Sequence, residues 1–265
     1  MAHSVFRPDL LRGQVALVTG GGTGIGKGIA ESLARAGADV VIASRKIERL
    51  EETASELRQF GTRIVPLPTN VREPETLRNT IDSIVSQLGR LDILVNNAAG
   101  NFYAPSATLS ANAWKAVVET DLYGTFFCCQ AVYPIMKQQH RGRIVSVSMT
   151  LHYRGWPQMA HATAAKAGID ALTRTLALEW APDGILINAV APGPIPTEGV
   201  KKAFIQPAGT SDLFNEDDPA ASPPAGRLGT PNDIGEMITY LVSPAGDWIT
   251  GSIIVVDGGA WLKGR

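Results

Sequence analysis

The chain has 265 residues, 45% of them hydrophobic, and its 24 Lys and Arg are matched by 25 Asp and Glu. This balance excludes the global positive field typical of proteins that bind nucleic acids or anionic membranes, and the apolar content is sufficient for one sizeable core. Cys128 and Cys129 are neighbours in an apolar segment, which argues against a disulfide framework or a metal site. We therefore expect a single domain over residues 1–265, with no metal, nucleic-acid or membrane partner.

The first recognisable element is a strand, a glycine-rich turn and a helix. Apolar residues 15–18 lead into Thr-Gly-Gly-Gly-Thr-Gly-Ile-Gly at residues 19–26, and apolar positions then recur with helical spacing. Such glycines let the backbone approach a pyrophosphate, while the helix N-terminus offers free N–H donors and a positive dipole. The stretch predicts a dinucleotide site, with an ordinary glycine-rich loop as the alternative interpretation.

Strands and helices then alternate along the chain. A second strand over residues 38–44 precedes an amphipathic helix over residues 46–60, and helices occupy most of the later intervals. Further strands are expected at residues 63–67, 92–97, 143–148, 185–190 and 252–257. Because their apolar character is nearly continuous, we predict an α/β fold, a single-domain Rossmann-type doubly wound parallel sheet of seven strands. Ligands then bind beyond the carboxyl ends of the strands.

Two further stretches bear on organisation and location. Residues 194–226 carry six prolines, scattered charge and no long periodicity, which predicts a mobile lid over the substrate. The N-terminus lacks the apolar core of a signal peptide, and Lys263-Gly264-Arg265 is not a peroxisomal targeting tripeptide. We therefore expect a cytoplasmic protein.

Three motifs together resemble the short-chain dehydrogenase/reductase superfamily over essentially the whole chain. They are T-G-x-x-x-G-x-G at residues 19–26, Asn-Asn-Ala-Ala-Gly at 96–100 and Pro-Gly at 192–193. The resemblance implies a nicotinamide dinucleotide cofactor. Its expected binding residues are Thr19, Gly20, Gly22, Thr23, Gly24, Ile25, Gly26, Ser44, Arg45, Lys46, Asn70, Val71, Asn97, Ala98, Ala99, Lys166, Pro192, Gly193, Pro194, Ile195 and Thr197.

The end of the second strand indicates which cofactor is used. An NAD-selective fold usually places an acid there for the ribose 2′-hydroxyl, but this chain has Ser44-Arg45-Lys46. Arg45 offers a planar, permanently charged donor suited to a 2′-phosphate, so NADPH or NADP⁺ is favoured. The alternative is that Arg45 and Lys46 are solvated cations at a helix start.

The catalytic positions depart from the superfamily pattern of Tyr-x-x-x-Lys. The lysine is Lys166, but Ala162 stands at the tyrosine position, Met149 at the serine position and Asp121 at the asparagine position. His161 lies off the helical face of Lys166, so we interpret it as a packing residue or a support for the catalytic side chains, with a catalytic role as the alternative. Without a phenolic proton donor, ordinary carbonyl reduction is disfavoured, whereas reduction of a carbon–carbon double bond conjugated to a thioester needs no tyrosine.

Several segments are similar to the peroxisomal-type 2,4-dienoyl-CoA reductases, and the match runs nearly end to end. They include Phe-Arg-Pro-Asp-Leu-Leu at 6–11, Ala-Ala-Gly-Asn-Phe at 98–102 and Asp-Gly-Gly-Ala-Trp-Leu at 257–262. This resemblance implies Asp121 and Lys166 as the catalytic pair and Arg72 and Phe102 as acyl-CoA contacts. Without the motif, Asp121 would instead be interpreted as a helix-surface or turn-stabilising carboxylate.

These patterns predict NADPH-dependent reduction of a 2,4-dienoyl-CoA to a 3-enoyl-CoA in unsaturated fatty acid oxidation. Lys201 and Lys202 are further candidates for the CoA phosphates. The alternatives are a trans-2-enoyl-CoA reductase, which shares the Ala-Ser-Arg-Lys-x-Glu-Arg-Leu motif at 43–50, and a non-catalytic NADP-binding relative. The superfamily resemblance implies a homotetramer, and we expect Trp261 and Leu262 to be exposed to a partner.

Overall fold

A computed structural model describes residues 5–200 and 222–263, and its centre is one sheet. The strands are β1 (Val15–Thr19), β2 (Asp39–Ser44), β3 (Ile64–Pro68), β4 (Ile93–Asn96), β5 (Gly142–Val147), β6 (Ile185–Pro192) and β7 (Ile253–Val256). Their order across the sheet is β3-β2-β1-β4-β5-β6-β7, and every neighbouring pair is parallel. The predicted doubly wound sheet of seven parallel strands is confirmed, with strand ends within two residues of expectation.

Helices follow most of the strands. They are α1 (Gly24–Arg35), α2 (Ile47–Leu57), α3 (Pro74–Leu88), α4 (Ala111–Val118), α5 (Gly124–Gln138), α6 (Ala160–Trp180) and α7 (Pro231–Val242). The helix expected over residues 46–60 is α-helical only to Leu57, and Arg58–Phe60 form a tighter 3₁₀ turn. Gly61 then adopts a φ of 77°, the left-handed conformation that commonly ends helices.

Two apolar layers hold the helices against the sheet. On one face, α1, α2 and α7 contribute residues such as Ile29, Leu50 and Ile234, all fully buried. On the other face, α3, α5 and α6 contribute Leu77, Val132 and Leu176 among others. Helices on both faces leave the carboxyl ends of the strands as the open edge, which is where parallel sheets of this type bind ligands.

The two cysteines lie in the second layer. Both thiols are free and buried on α5, and burial raises the pKa of Cys129 to about 12. They are therefore packing residues rather than nucleophiles. Among the described residues, no group of three His, Cys, Asp or Glu side chains could hold a metal ion. Within the same ranges, none of the helices combines the length and the apolar character needed to cross a membrane.

Candidate active site

A cavity of about 730 Å³ opens at the carboxyl edge of the sheet, where β1 lies between β2 and β4. This is the point at which successive connections turn to opposite sides of the sheet, the usual ligand position in such folds. Every residue predicted to bind the cofactor lines the cavity except Thr19. Catalytic candidates Asp121 and Lys166 line it too. The sheet topology thus gathers predicted residues from seven parts of the chain into one site.

Thr19 supports the glycine turn instead of facing the cavity. Its hydroxyl oxygen accepts from the backbone N–H groups of Asn97 and Ala98 at 3.0 and 3.1 Å and donates to the Val95 carbonyl at 3.3 Å. In turn, Nδ2 of the Asn97 side chain donates to the carbonyls of Thr19 and Gly20 at 3.0 and 3.3 Å. These bonds fasten the end of β4 to the end of β1.

The glycine turn has the shape that a pyrophosphate requires. Gly20 and Gly24 have φ values of 66° and 55°, a backbone region that residues other than glycine rarely adopt. A Cβ added at Gly26 would lie 2.2 Å from the Gly20 carbonyl oxygen. Thr23 forms no side-chain cap on α1, and the first turn of that helix carries no acid. The backbone donors at this helix start are thus available to an anion, so the residues present fit a dinucleotide.

Asp121 lies on a widened helical turn. Residues Glu119–Tyr123 form a π-helical turn between α4 and α5, and such turns often occur at functional sites. The Asp121 side chain is only 1% exposed, and the backbone N–H of Gly100 donates to its Oδ1 at 2.8 Å. Its alternative interpretation as a surface carboxylate is therefore wrong.

Lys166 approaches Asp121 from another helix. Its Nζ lies 3.6 Å from Asp121 Oδ2 and donates to the Val147 carbonyl, at the end of β5, at 2.8 Å. Burial raises the pKa of Asp121, and the nearby Lys166 ammonium and the Gly100 N–H partly oppose that effect. The carboxyl therefore keeps a proton to a higher pH than a free aspartic acid does. A buried ammonium and a carboxyl with a raised pKa stand together at the cavity wall.

Comparison with known proteins assigns this architecture. A family model described as "Enoyl-(Acyl carrier protein) reductase" matches residues 20–260. The chain belongs to the short-chain dehydrogenase/reductase family. As a member of this family it is an oxidoreductase that uses a nicotinamide cofactor.

Two curated relatives and two solved structures are similar over most of the chain. A Danio rerio protein named "Peroxisomal 2,4-dienoyl-CoA reductase [(3E)-enoyl-CoA-producing]" is 45% identical over 97% of this chain and 85% of its own length. A Bacillus subtilis protein named "Probable 2,4-dienoyl-CoA reductase [(2E)-enoyl-CoA-producing]" is 40% identical over 94% of this chain and 97% of its own length. A short chain dehydrogenase from Bacillus anthracis superposes with a TM-score of 0.82, at 38% identity over 94% and 97%. The citronellol catabolism dehydrogenase of Pseudomonas aeruginosa gives a TM-score of 0.84, at 33% identity over 98% and 100%.

The chain's place in the short-chain dehydrogenase/reductase family makes its missing tyrosine informative. Ala162 occupies that position, is fully buried, and packs with Val117 and Met159. Met149 and Phe102 pack against this same cluster. The wall that carries a phenol in most reductases of the family is therefore apolar here. His161 is also fully buried, and its ring centroid lies 4.5 Å from that of Phe102, in agreement with the packing interpretation.

The predicted substrate residues are placed unevenly. Arg72 lines the cavity, and its guanidinium is paired with the Glu119 carboxylate. Phe102 lies behind the cavity surface in the apolar cluster. Lys201 and Lys202 fall outside the described residues, as does the centre of the predicted lid. At the ends of that segment, the cavity is lined by Pro194, Ile195, Thr197, Ser222 and Pro223 among others.

Sequence reasoning missed several residues of the cavity wall. Leu151, Trp156 and Trp261 all line it. Trp261 was expected to be exposed, which is wrong: it is half-buried, with its ring centroid 5.9 Å from that of Tyr153. Leu262 is 70% exposed, as expected. Their place in the sequence could have predicted Leu151 and Trp156, because both closely follow Met149, which stands at the catalytic serine position of the superfamily.

Proposed function

We propose that the protein catalyses the NADPH-dependent reduction of a 2,4-dienoyl-CoA to a 3-enoyl-CoA in the oxidation of unsaturated fatty acids. The observation that carries the proposal is the buried Lys166–Asp121 pair in a cavity that no tyrosine of the described residues lines. Ketone reduction needs an acid beside the carbonyl oxygen. The position that usually supplies this acid in the family is occupied here by Ala162, which has no acidic group. Reduction of a conjugated thioester needs only a cation near the thioester oxygen and a proton for carbon. The Danio rerio relative is named for this reaction.

The residues of the site divide the work. A bound nicotinamide cofactor supplies the hydride. We assign two roles to the Lys166 ammonium, which donates to the Val147 carbonyl: it orients the cofactor ribose, and it stabilises the negative charge that develops on the thioester oxygen. The Asp121 carboxyl, with its raised pKa, holds a proton for delivery to carbon, directly or through water. Product formation thus consumes one hydride and one proton, and the dienoyl group gains two hydrogens.

The preference for NADPH rests on the end of β2. Arg45 is exposed at the rim of the cavity, and within the described part of the chain it forms no ion pair. Ser44 and Lys46, which flank it, supply no carboxylate to a ribose 2′-hydroxyl. A guanidinium at this position suits the 2′-phosphate of NADPH.

The apolar wall suits the acyl chain and the rim suits the CoA moiety. Met149, Leu151 and Trp156 supply apolar surface next to the catalytic pair. Arg72 at the rim is a candidate for a CoA phosphate, and it must then exchange its Glu119 partner for that phosphate. We keep Phe102, Lys201 and Lys202 as proposed contributors to the acyl-CoA site.

The test is NADPH consumption against a panel of 2,4-dienoyl-CoA, trans-2-enoyl-CoA and simple ketones. We expect turnover with dienoyl-CoA well above both other classes. Faster turnover of trans-2-enoyl-CoA would favour the enoyl reductase alternative, and NADPH binding without any turnover would favour the non-catalytic one. The ultraviolet spectrum of the product identifies the remaining double bond, because a 2-enoyl-CoA stays conjugated to the thioester and a 3-enoyl-CoA does not. The name of the Bacillus subtilis relative gives the 2-enoyl product, so this measurement decides a real alternative.

We also propose that the protein is a homotetramer. Three aromatic residues on α4, the widened turn and α5 are exposed: Trp114, Tyr123 and Phe126, with 38 to 50% of each residue exposed. Aromatic surface of this kind is typical of protein interfaces. Light scattering that gave a mass of 28.1 kDa, that of one chain, at micromolar concentration would reject the assembly. We keep the cytoplasmic location as a prediction, although the Danio rerio relative is named as peroxisomal.

A further inference from the structure

One buried carboxylate anchors both ends of the turn that follows β5. The Ser148 hydroxyl donates to Oδ1 of Asp170 at 2.6 Å, and the Nε2–H of His152 donates to Oδ2 of the same residue at 2.8 Å. The side chains of Asp170 and His152 are only 5% and 8% exposed. A carboxylate removed from water to this extent is costly unless both oxygens have partners, and here both have one.

The residues between these two anchors form part of the cavity wall. Met149, Thr150 and Leu151 lie between Ser148 and His152 in the chain, and all three line the cavity. Met149 and Leu151 also pack against the apolar cluster that contains Ala162. The position of the apolar wall therefore depends on where the ends of this turn are held.

Asp170 acts from the same helix as the catalytic lysine. It follows Lys166 by four residues on α6, so the two side chains share one helix face. Lys166 binds the carbonyl of Val147, and Asp170 binds the hydroxyl of the next residue, Ser148. Helix α6 thus holds two consecutive residues at the end of β5, one through the catalytic ammonium and one through Asp170.

The turn is also connected to the other side of the cavity. The Tyr153 ring lies against His152, with ring centroids 4.3 Å apart, and against Trp261, with centroids 5.9 Å apart. Trp261 lines the cavity from the C-terminal segment after β7. Loss of the His152 anchor would therefore loosen contacts to a second wall of the same cavity.

We propose that Asp170 is a positioning residue for the acyl substrate, which holds the 148–152 turn against the catalytic pair through Ser148 and His152. The role rests on the proposed function. It predicts that weakening either anchor harms the use of the thioester, whereas cofactor binding by the glycine turn and the end of β2 is preserved.

The principal test is Asp170→Asn with Asp92→Asn as its matched control. Asp92 is also a buried carboxylate with more than one partner, the Val15 N–H at 2.9 Å and the Arg90 guanidinium, but it lies before β4 at the opposite edge of the sheet. For each variant we would measure thermal stability, the Kd for NADPH, and kcat and KM for a dienoyl-CoA. Both variants should lose stability. Only Asp170→Asn should raise the KM for the thioester, by roughly tenfold, the loss expected when a hydrogen bond to a charged group is removed.

Two milder variants keep the test decisive if Asp170→Asn does not fold. His152→Gln retains an N–H donor of similar reach and should keep the KM close to that of the unchanged protein, whereas His152→Leu should raise it. Ser148→Ala should raise the KM, and in combination with Asp170→Ala it should add little, because Asp170→Ala already removes the acceptor of the Ser148 hydroxyl. Additive effects of Ser148→Ala and Asp170→Ala would overturn the proposal.

The outcomes separate the two proposals. If the unchanged protein does not reduce dienoyl-CoA, the proposed function is rejected. If it does, but Asp170→Asn or His152→Leu leaves its KM unchanged, the positioning role alone is rejected. An equal rise in KM for Asp92→Asn, or a matching rise in the Kd for NADPH, would mark a general loss of structure and would also reject it.

Discussion

The two halves of the cavity are built from different parts of the protein. In the cofactor half, the surface is mostly backbone: a turn with left-handed glycines, the uncapped start of α1 and the ends of β2 and β4. In the substrate half, the surface is made of side chains from the widened turn at Glu119–Tyr123, from α6 and from the loop after β5. The glycine turn thus presents the shape of its backbone, whereas Arg45 at the end of β2 and the residues of the substrate half present particular side chains.

This difference explains how the reaction can change while the cofactor is kept. A Cβ at Gly20, Gly21 or Gly26 would lie 2.2 to 2.8 Å from neighbouring protein atoms, so replacement of these glycines must distort the turn. Replacement of tyrosine, serine and asparagine by Ala162, Met149 and Asp121 leaves the sheet and the turn intact. The substrate half can therefore exchange its proton donor without any cost to the cofactor half. The predictions below test this separation, starting with the largest expected effect.

Removal of either catalytic side chain should affect the two halves differently. Asp121→Ala and Lys166→Ala should each lower kcat for dienoyl-CoA by at least about 100-fold, the usual contribution of a positioned acid or base. The Kd for NADPH should stay nearly constant in Asp121→Ala and rise in Lys166→Ala, because we propose that the lysine contacts the cofactor ribose. Kinetics and fluorescence titration would measure the two effects. Asp82→Ala, at an exposed position on α3, is the control. Full activity in Asp121→Ala would contradict the assignment of the pair.

A side chain added in the glycine turn should weaken binding of the cofactor. In Gly26→Ala the new methyl would stand 2.2 Å from the Gly20 carbonyl oxygen and 2.4 Å from Asn97 Nδ2, so the turn must distort. We expect weaker NADPH binding, by roughly 1 to 3 kcal/mol, which is typical of overpacking in a tight site. Gly100→Ala is the control, since a Cβ there meets no atom within 4 Å. Isothermal titration would compare the two variants, and equal affinities would show that the turn tolerates a side chain.

The cofactor half could be predicted from the sequence because its determinants are local. Glycine spacing between an apolar strand and an amphipathic helix specifies a turn within about ten residues, whatever the rest of the chain does. The strands were equally accessible, since burial on both faces leaves a nearly continuous apolar run. Thr19 was the one residue predicted to bind the cofactor that does not line the cavity, because the direction of its hydroxyl depends on where β4 ends.

The substrate half could be predicted only in part, because its contacts join distant parts of the chain. The resemblance predicts Asp121 and Lys166 as a pair, but their 3.6 Å separation depends on a π-helical turn that no sequence periodicity indicates. The Ser148–Asp170–His152 cluster was missed, since polar residues in a loop and on a helix have no common spacing. Trp261 was misplaced because its apolar partner, Tyr153, lies in a different loop.

The charge at the end of β2 should decide which cofactor is preferred. Arg45→Glu removes the proposed partner of the 2′-phosphate and adds repulsion, so preference should move from NADPH towards NADH. A charge-assisted contact of this kind contributes about 1.5 to 3 kcal/mol, or roughly ten- to a hundredfold in affinity. Arg63→Glu, on a cation that pairs with Asp39 away from the cavity, is the control. If the unchanged protein binds both cofactors equally well, Arg45 is a solvated surface residue.

The smallest expected effect is on stability, through the start of helix α7, which packs behind the cofactor half. Helix α7 packs on α1, and a Cβ at Gly28 of α1 would stand 2.3 Å from Pro231 of α7. The start of α7 is held by a capping box, in which Thr230 and Asp233 exchange hydrogen bonds, and by the Arg227 guanidinium on Asp233 at 2.7 and 2.8 Å. The Arg227 hydrogen bonds, with help from the Thr230 backbone, lower the pKa of Asp233 from 3.8 to about 2.

A lowered pKa in the folded protein determines the sign of the pH dependence. The stabilisation from Asp233 is fully present above its unfolded pKa of 3.8 and is lost as the pH falls through about 2. Asp233→Asn should therefore lower the free energy of unfolding by about 1 kcal/mol at pH 7, a value reduced for solvent screening because Arg227 is largely exposed. The difference from the unchanged protein should shrink between pH 4 and pH 2, the range about the two pKa values. Urea unfolding at a series of pH values measures it, with Asp82→Asn as the control. If the difference in the free energy of unfolding stays constant over this range, the ion pair contributes nothing to stability. If Asp233→Asn changes the KM for dienoyl-CoA, the two halves of the cavity are not independent.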